Sequence, residues 1–216
     1  MVKSIKSRNS GQKASTLDNY FQYKVCINLD ARPDRWQRMQ RRFTRHKIKT
    51  VERFSAVDGR YLSPPPNSQL TGKQYGCLLS HVRAVEKAQA DGAPNILILE
   101  DDAYFVRYFS KLFGQYIKQV PADWDMILLG GYHREEPVPV NKHVVRISGS
   151  LASHAYALKE TVYSAFIKLN KRGVDALDVN NKTLQKQFHC YFLRPTLVGQ
   201  EGGYSDIVGA VVPKWI

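Results

Sequence analysis

The sequence predicts an α/β fold with a mixed, mainly parallel central sheet flanked by helices, and three observations carry that expectation. Short apolar runs recur along the chain: YKVCINL (23–29), NILIL (95–99) and WDMILL (124–129). Runs of this kind form strands buried on both faces, as in parallel sheets. Segments of helical period lie between them, and 216 residues without an internal repeat suit one domain.

Taken in order, residues 1–19 are basic and Ser-rich and read as a disordered arm, with the domain proper over 20–216. YKVCINL is the first strand. Pro33 opens a helix because its fixed φ suits the first turn, and Trp36, Met39 and Phe43 share one apolar stripe. VERFSAV (51–57) is the second strand and ends at the turn pair Asp58-Gly59. SPPPNSQLTGK (63–73) is a loop, since Pro and Gly leave it no regular ladder. Leu78, Leu79, Val82 and Val85 then define a helix ending near Asp91-Gly92. NILIL is the third strand, Tyr104 to Val120 an amphipathic helix, and WDMILL the fourth strand. HVVRI (143–147) and HAYALK (154–159) are further strands, followed by a helix over 160–171 and a late strand, FHCYFL (188–193). The Gly-rich tail from Gly199 shows no period.

Charge narrows the function. Lys and Arg number 32 against 19 Asp and Glu, a formal +13, yet residues 1–60 alone hold 15 basic and 5 acidic side chains, or +10. Most of the chain is near neutral, which argues against a uniformly basic nucleic-acid binder and leaves a local surface for phosphate, polyanion or anionic lipid. The arginine-rich segment 32–45 keeps a nucleic-acid or polyanion binding module open as an alternative. Cys26, Cys77 and Cys190 form no CxxC pair and sit among apolar neighbours, as buried residues of a reducing compartment do. With no apolar h-region and no apolar stretch of bilayer length, a cytoplasmic protein with at most peripheral membrane contact is expected.

Glu100-Asp101-Asp102 directly after NILIL is the sharpest feature. Three adjacent carboxylates repel one another unless a cation or strong donors neutralise them. Asp102 could cap the helix that follows, but one cap does not require three acids. Carboxylate oxygens suit Mg²⁺ or Mn²⁺, which keep positions open for phosphate. Another Mg²⁺-dependent, nucleotide-using transferase would use such acids equally well.

INLDARPDRWQRM, FSAVDGR, GCLLSH, ILILEDDAYF, WDMILLGG, AYAL and GYSDI appear in this order over about residues 23–207. Together they resemble glycosyltransferase family 25, the lipooligosaccharide-type and collagen-type galactosyltransferases. The resemblance implies a Rossmann-like GT-A domain and transfer of a hexose from a UDP-sugar, UDP-galactose or UDP-glucose. The expected acceptor is a glycan, a lipid-linked glycan or a glycoprotein; the expected metal is Mn²⁺ or Mg²⁺. Asp102 becomes the primary metal ligand, with Glu100 beside it, and Glu100 and Asp101 serve ribose or sugar hydroxyls or metal-bound water. Asn28, Leu29, Asp30 and Arg32 line the nucleotide pocket, Arg32 or Arg35 forks to phosphate, and Asp58-Gly59 contacts the base or forms a plain turn. Ser80 and His81 position the donor, or His81 is a core histidine; His154 and Tyr156 face sugar or acceptor, or are ordinary strand residues. Inversion needs one general base, for which Asp178 is preferred and Asp206 is second, Asp175 reading as a helix cap. The remaining arginines of the first helix are expected to face solvent. The chain departs from the family at Gly72-Lys73-Gln74-Tyr75, where an acidic residue is common, and at this size a fusion or partner catalytic domain is possible.

Overall fold

The structure, a computed structural model, describes residues 15–214. Helix α1 (Thr16–Tyr20) opens it with a capping box in which Ser15 and Asp18 bond each other's backbone N–H. Residues 1–14 of the expected arm lie outside the described residues; its last five are not disordered but form the cap and most of α1. What pins α1 is the buried Lys24, whose Nζ donates to Phe21 O at 2.8 Å and pairs with Asp18 at 3.4 Å.

Eight strands build the main sheet: β1 (Tyr23–Asn28), β2 (Glu52–Ser55), β3 (Asn95–Glu100) and β5 (Met126–Leu128), then β7 (Val138–Pro139), β8 (Val144–Arg146), β10 (Ala155–Lys159) and β11 (Cys190–Leu193). Their order is β2-β1-β3-β10-β5-β11-β8-β7, and only β10 and β8 run against the rest. The mixed, mainly parallel sheet is thus as the apolar runs predict. Alternation along the strands sorts the core into two layers. Cys26, Leu97 and Leu99 join Met39 and Phe43 of α2 (Pro33–Arg45) and Phe109 and Phe113 of α4 (Phe109–Tyr116). Val25, Ile27, Ile96 and Ile98 join Leu78 and Val85 of α3 (Gly72–Ala90), Val162 and Phe166 of α5 (Glu160–Asn170) and Leu184 of α6 (Leu177–Gln185). Helices therefore cover both sheet faces; α2 and α4 bury apolar stripes, whereas α6 buries Asn180, Asn181 and Gln185 beside Leu177 and Leu184.

Four expectations are corrected. The single helix over Tyr104–Val120 is instead β4 (Ala103–Phe105), a break, α4 and a 3-10 turn at Ile117–Gln119. β4 forms because it pairs antiparallel with β12 (Val198–Gln200), nearly a hundred residues downstream, and Tyr108 turns the chain at φ 65° before α4. Asp102 accordingly caps no helix. Nor does Asp175: the N-cap of α6, a helix the periodicity does not reveal, is Ala176. The α3 helix starts inside the expected loop, where Thr71 and Gln74 form a capping box. The remaining pairs, β6 (Tyr132–His133) with β9 (Ser150–Leu151) and β13 (Gly203–Ser205) with β14 (Ala210–Val212), are short ribbons near the sheet's carboxyl edge and the tail.

Gly59, Gly72 and Gly76 let the turn after β2 lie directly on α3. A Cβ on Gly59 would stand 2.2 Å from Gly72 O, and one on Gly76 would stand 2.7 Å from Gly59 Cα. Gly59→Ala is therefore expected to cost about 1–3 kcal/mol through backbone overpacking, read as a lower urea midpoint. An unchanged midpoint would show that this contact is not tight.

Candidate active site

The parallel trio β2-β1-β3 sends its carboxyl ends, Ser55, Asn28 and Glu100, to one edge of the sheet, where open α/β sheets bind ligands. A cleft opens there. The end of β1 and the start of α2 line it with Asn28, Leu29, Arg32 and Arg35; the turn after β2 adds Asp58 and Gly59; α3 adds Ser80 and His81; and Glu100, Asp101, Asp102 and Asp206 complete it. Sequence reasoning singled out all of these. Arg60, Cys77 and Gln200 line it too and were missed, since nothing in their spacing marks them.

A second cleft adjoins the first and shares Cys77, Glu100, Gln200, Ser205 and Ile207 with it. Asp178, from the first turn of α6, and His154 face this second space. Asp30 belongs to neither: its exposed carboxylate accepts from Arg53 at 2.7 Å and Ser55 at 2.8 Å, which hold it below the usual range.

Hydrogen bonds separate groups that hold the site together from groups left open. Asp101 accepts from Asn28 Nδ2 at 2.6 Å and Arg35 Nη1 at 2.8 Å, a pair with both side chains largely buried. Burial pushes its carboxyl up in spite of these partners. Asn28 also donates to Arg32 O at 3.0 Å and accepts from Arg53 at 2.8 Å, so it braces the loop. Ser80 Oγ accepts from Val57 N at 2.8 Å and donates to Gly76 O at 2.7 Å, tying the end of β2 to α3. Asp58 caps its own turn and pairs with Arg60. Asp206 pairs with Arg32 and, at 3.6 Å, with Arg35, whose Nη2 also donates to Tyr204 O at 2.6 Å. The β13–β14 ribbon is thereby docked on the cleft.

The remaining arginines of α2 do not all face solvent as expected. Arg38 and Arg42 both reach Glu201 at 2.8 Å, and Arg42 also donates to Ala103 O at 2.7 Å; only Arg41 and Arg45 are exposed. Positions 35, 38 and 42 form one helix face turned to the acidic edge. His81 is fully buried, stacked on Tyr156 and hydrogen-bonded to its hydroxyl at 2.9 Å, so it is a core histidine that also borders the cleft. His154 is buried and bonded to Val198 O at 3.0 Å. Of the cysteines, Cys26 and Cys190 are buried as expected, while Cys77 is half-buried and borders both clefts.

Among the carboxylates of the cleft, Asp102 is the one left in need. Its Oδ2 accepts from Gln200 at 3.1 Å, but Oδ1 is buried with no partner. Burial, reinforced by Glu100 and Asp101, pushes its carboxyl up to about 7. Burial acts the same way on Glu100, but His81, Ser153 and His154 outweigh it and hold that carboxyl below the usual range. Partnerless buried carboxylate oxygen beside a second carboxylate fits a hard divalent cation.

The matching family model is "Glycosyltransferase family 25 (LPS biosynthesis protein)", over residues 21–177. The chain belongs to glycosyltransferase family 25. A glycosyltransferase 25 family member of Aedes aegypti is 33% identical over 129 residues, 51% of this chain and 21% of that protein. The procollagen lysyl hydroxylase and glycosyltransferase of Acanthamoeba polyphaga mimivirus is 29% identical, covering 67% of this chain and 19% of its own length. Procollagen galactosyltransferase 1 of Danio rerio is 29% identical over 59% of this chain and 24% of its own. The matched stretch thus spans about a fifth to a quarter of those relatives. Among solved structures, UDP-glucose pyrophosphorylase complexed with UDP-glucose has a TM-score of 0.39 at 9% identity, covering 79% of this chain and 72% of that one. A glycosyltransferase involved in glycosylation of the major capsid of PBCV-1 has a TM-score of 0.40 at 8% identity, covering 69% and 65%. These are likenesses too loose to bear on activity.

The Asp102 carboxyl gives a stability signature. Its folded pKa lies above the unfolded value of about 3.9, so the folded state holds the proton more tightly. Its contribution is then present below about pH 4 and is lost as pH rises towards about 7. In chelator-treated protein, Asp102→Asn is expected to melt higher than the unsubstituted chain at pH 8 and equally at pH 4. Each kcal/mol released is worth about 2–4 °C at this length. Parallel melting curves across that range would contradict the strained carboxylate.

Proposed function

We propose that the chain transfers a hexose from a UDP-sugar, UDP-galactose or UDP-glucose, to a hydroxyl of a glycan, lipid-linked glycan or glycoprotein, with inversion at the anomeric carbon. The observation that carries this reading is the pair of adjoining clefts. One gathers arginines and an unsatisfied carboxylate, the other holds a partly desolvated Asp178, and Glu100 stands in the wall between them. Membership of the glycosyltransferase family supports it.

On this reading Arg32 and Arg35 receive the diphosphate as bidentate donors, Asn28, Leu29 and the Asp58-Gly59 turn border the nucleoside, and Ser80 acts through Val57 by holding that turn. Asp102 and Glu100 would hold Mn²⁺ or Mg²⁺, which when bound offsets charge developing on the diphosphate. In the second cleft the acceptor hydroxyl approaches Asp178, whose carboxyl burial raises, a shift that favours proton uptake. As the acceptor oxygen bonds to the anomeric carbon, the bond from that carbon to the phosphate oxygen breaks. The hydroxyl proton passes to Asp178, and UDP leaves with the bonding pair. Asp206 is the poorer base because Arg32 and Arg35 already claim its carboxylate; it serves instead to place the tail ribbon. A nucleic-acid module fits less well, since Arg38 and Arg42, on the face of α2 outside the proposed diphosphate position, are spent on protein acceptors.

The test is nucleotide release from a panel of UDP- and GDP-sugars with Mn²⁺ and candidate acceptors. Asp178→Asn is expected to lower kcat by about 10²–10⁴ with donor affinity little changed, while Asp206→Asn shifts mainly donor KM. No release from any donor, or full activity in Asp102→Ala, would sink the mechanism.

A further inference from the structure

We propose that Cys77, His81 and Glu100 form a binding site for Zn²⁺ or a chemically similar borderline-soft divalent ion, which shares Glu100 with the hard-ion position at Asp102. The three ligand atoms, a thiol sulfur, an imidazole nitrogen and a carboxylate oxygen, lie within 4.8 Å of one another. Cys77 and His81 are four residues apart on α3, so one helical turn brings both side chains to one face. Glu100 comes to them from the end of β3.

The state of His81 points to an ion. The residue is fully buried, yet its Nε2 has no hydrogen-bond partner, an arrangement that costs free energy unless something fills it. Glu100 Oε1 stands 3.4 Å from that nitrogen. Two ligands about 2.0–2.2 Å from a tetrahedral zinc stand roughly 3.3–3.6 Å apart, so the separation matches the edge of a zinc tetrahedron. The set spans at most 4.8 Å, so a shift of no more than about 1 Å brings it to the edge lengths of a zinc tetrahedron that includes one sulfur. Cys77 is half-buried and borders both clefts, which gives an ion a path in and leaves a fourth position open to water.

The surroundings support the same ligand set. His81 Nδ1 lies 2.9 Å from the Tyr156 hydroxyl; with Nε2 on the metal, Nδ1 carries the proton and donates to that oxygen, the usual arrangement behind a metal-bound histidine. Ser153 Oγ donates to Glu100 Oε1 at 2.8 Å and fixes its direction. Thiolate and imidazole select zinc-like ions over Mg²⁺ and Mn²⁺, which prefer all-oxygen sets. Binding forms a metal–sulfur bond, and the Cys77 thiol proton leaves to solvent. Because Glu100 also stands beside Asp102, an ion here draws it away from the hard-ion position, so the two ions compete for one carboxylate.

Co²⁺ is the probe, since a thiolate-ligated, four-coordinate Co²⁺ has near-ultraviolet charge-transfer absorption and intense visible bands. The chelator-treated full chain is expected to gain these bands with one equivalent of Co²⁺ and lose them on adding Zn²⁺. Cys77→Ser should abolish the charge-transfer band, and Glu100→Gln should weaken Co²⁺ binding at least about tenfold. A wild-type measurement guards against a variant that does not fold: one equivalent of Zn²⁺ should slow alkylation of Cys77 at least about tenfold, with the modified residue identified by mass mapping. Absence of the band in the wild-type chain, its persistence in folded Cys77→Ser, or unchanged Cys77 alkylation would overturn the site. None of these readouts depends on sugar transfer, so failure of the transferase reading and failure of the zinc site are separable.

Discussion

Three carboxylates at the end of one buried strand set the terms for everything around them. Glu100, Asp101 and Asp102 leave β3 where the sheet meets the cleft, and like charges so close must be answered or protonated. The protein answers each differently. Asp101 takes Arg35 and Asn28, Glu100 takes Ser153 and the neighbourhood of His81, and Asp102 is left with Gln200 and one empty oxygen. The orientation of α2 follows from the first answer, because the helix face that presents Arg35 also presents Arg38 and Arg42 to Glu201. One strand end thereby fixes a helix, the tail and the line between two clefts.

Much of this was legible from sequence, for physical reasons that also mark the limits. Strands such as β1 and β3 are buried on both faces, so their centres, Val25 to Ile27 and Ile96 to Leu99, are uninterrupted apolar runs. The cleft was legible because short motifs fall at strand ends, where chemistry collects. What stayed hidden depends on distant partners. β4 exists by pairing with β12, and a window over 104–120 contains no trace of β12. Cys77 looked like core because its neighbours Leu78 and Val82 are core; only the packing of α3 turns its side of the helix towards open space. The α3 start was readable in principle, since Thr71 and Gln74 spell a capping box.

Charge counting misled where it ignored pairing. The excess of basic residues before position 61 is real, yet Arg32, Arg35, Arg38, Arg42 and Arg53 all have acidic partners. A formal charge describes the whole molecule, whereas a binding surface depends on which cations remain unmatched. The arginine-rich helix is chiefly an internal brace for an acidic edge.

The docking of Asp206 on Arg32 and Arg35 has a further consequence. An anion arriving at these arginines meets cations already satisfied, so the event is an exchange of one negative group for another. Its Coulombic gain is the difference between two pairings, and is smaller than two bare guanidinium groups would give. Discrimination then rests on what the newcomer offers beyond charge: geometry matched to the guanidinium fork, and surface that the displaced ribbon can close over. An anion that matches the fork poorly would gain too little to displace the carboxylate the chain carries for itself.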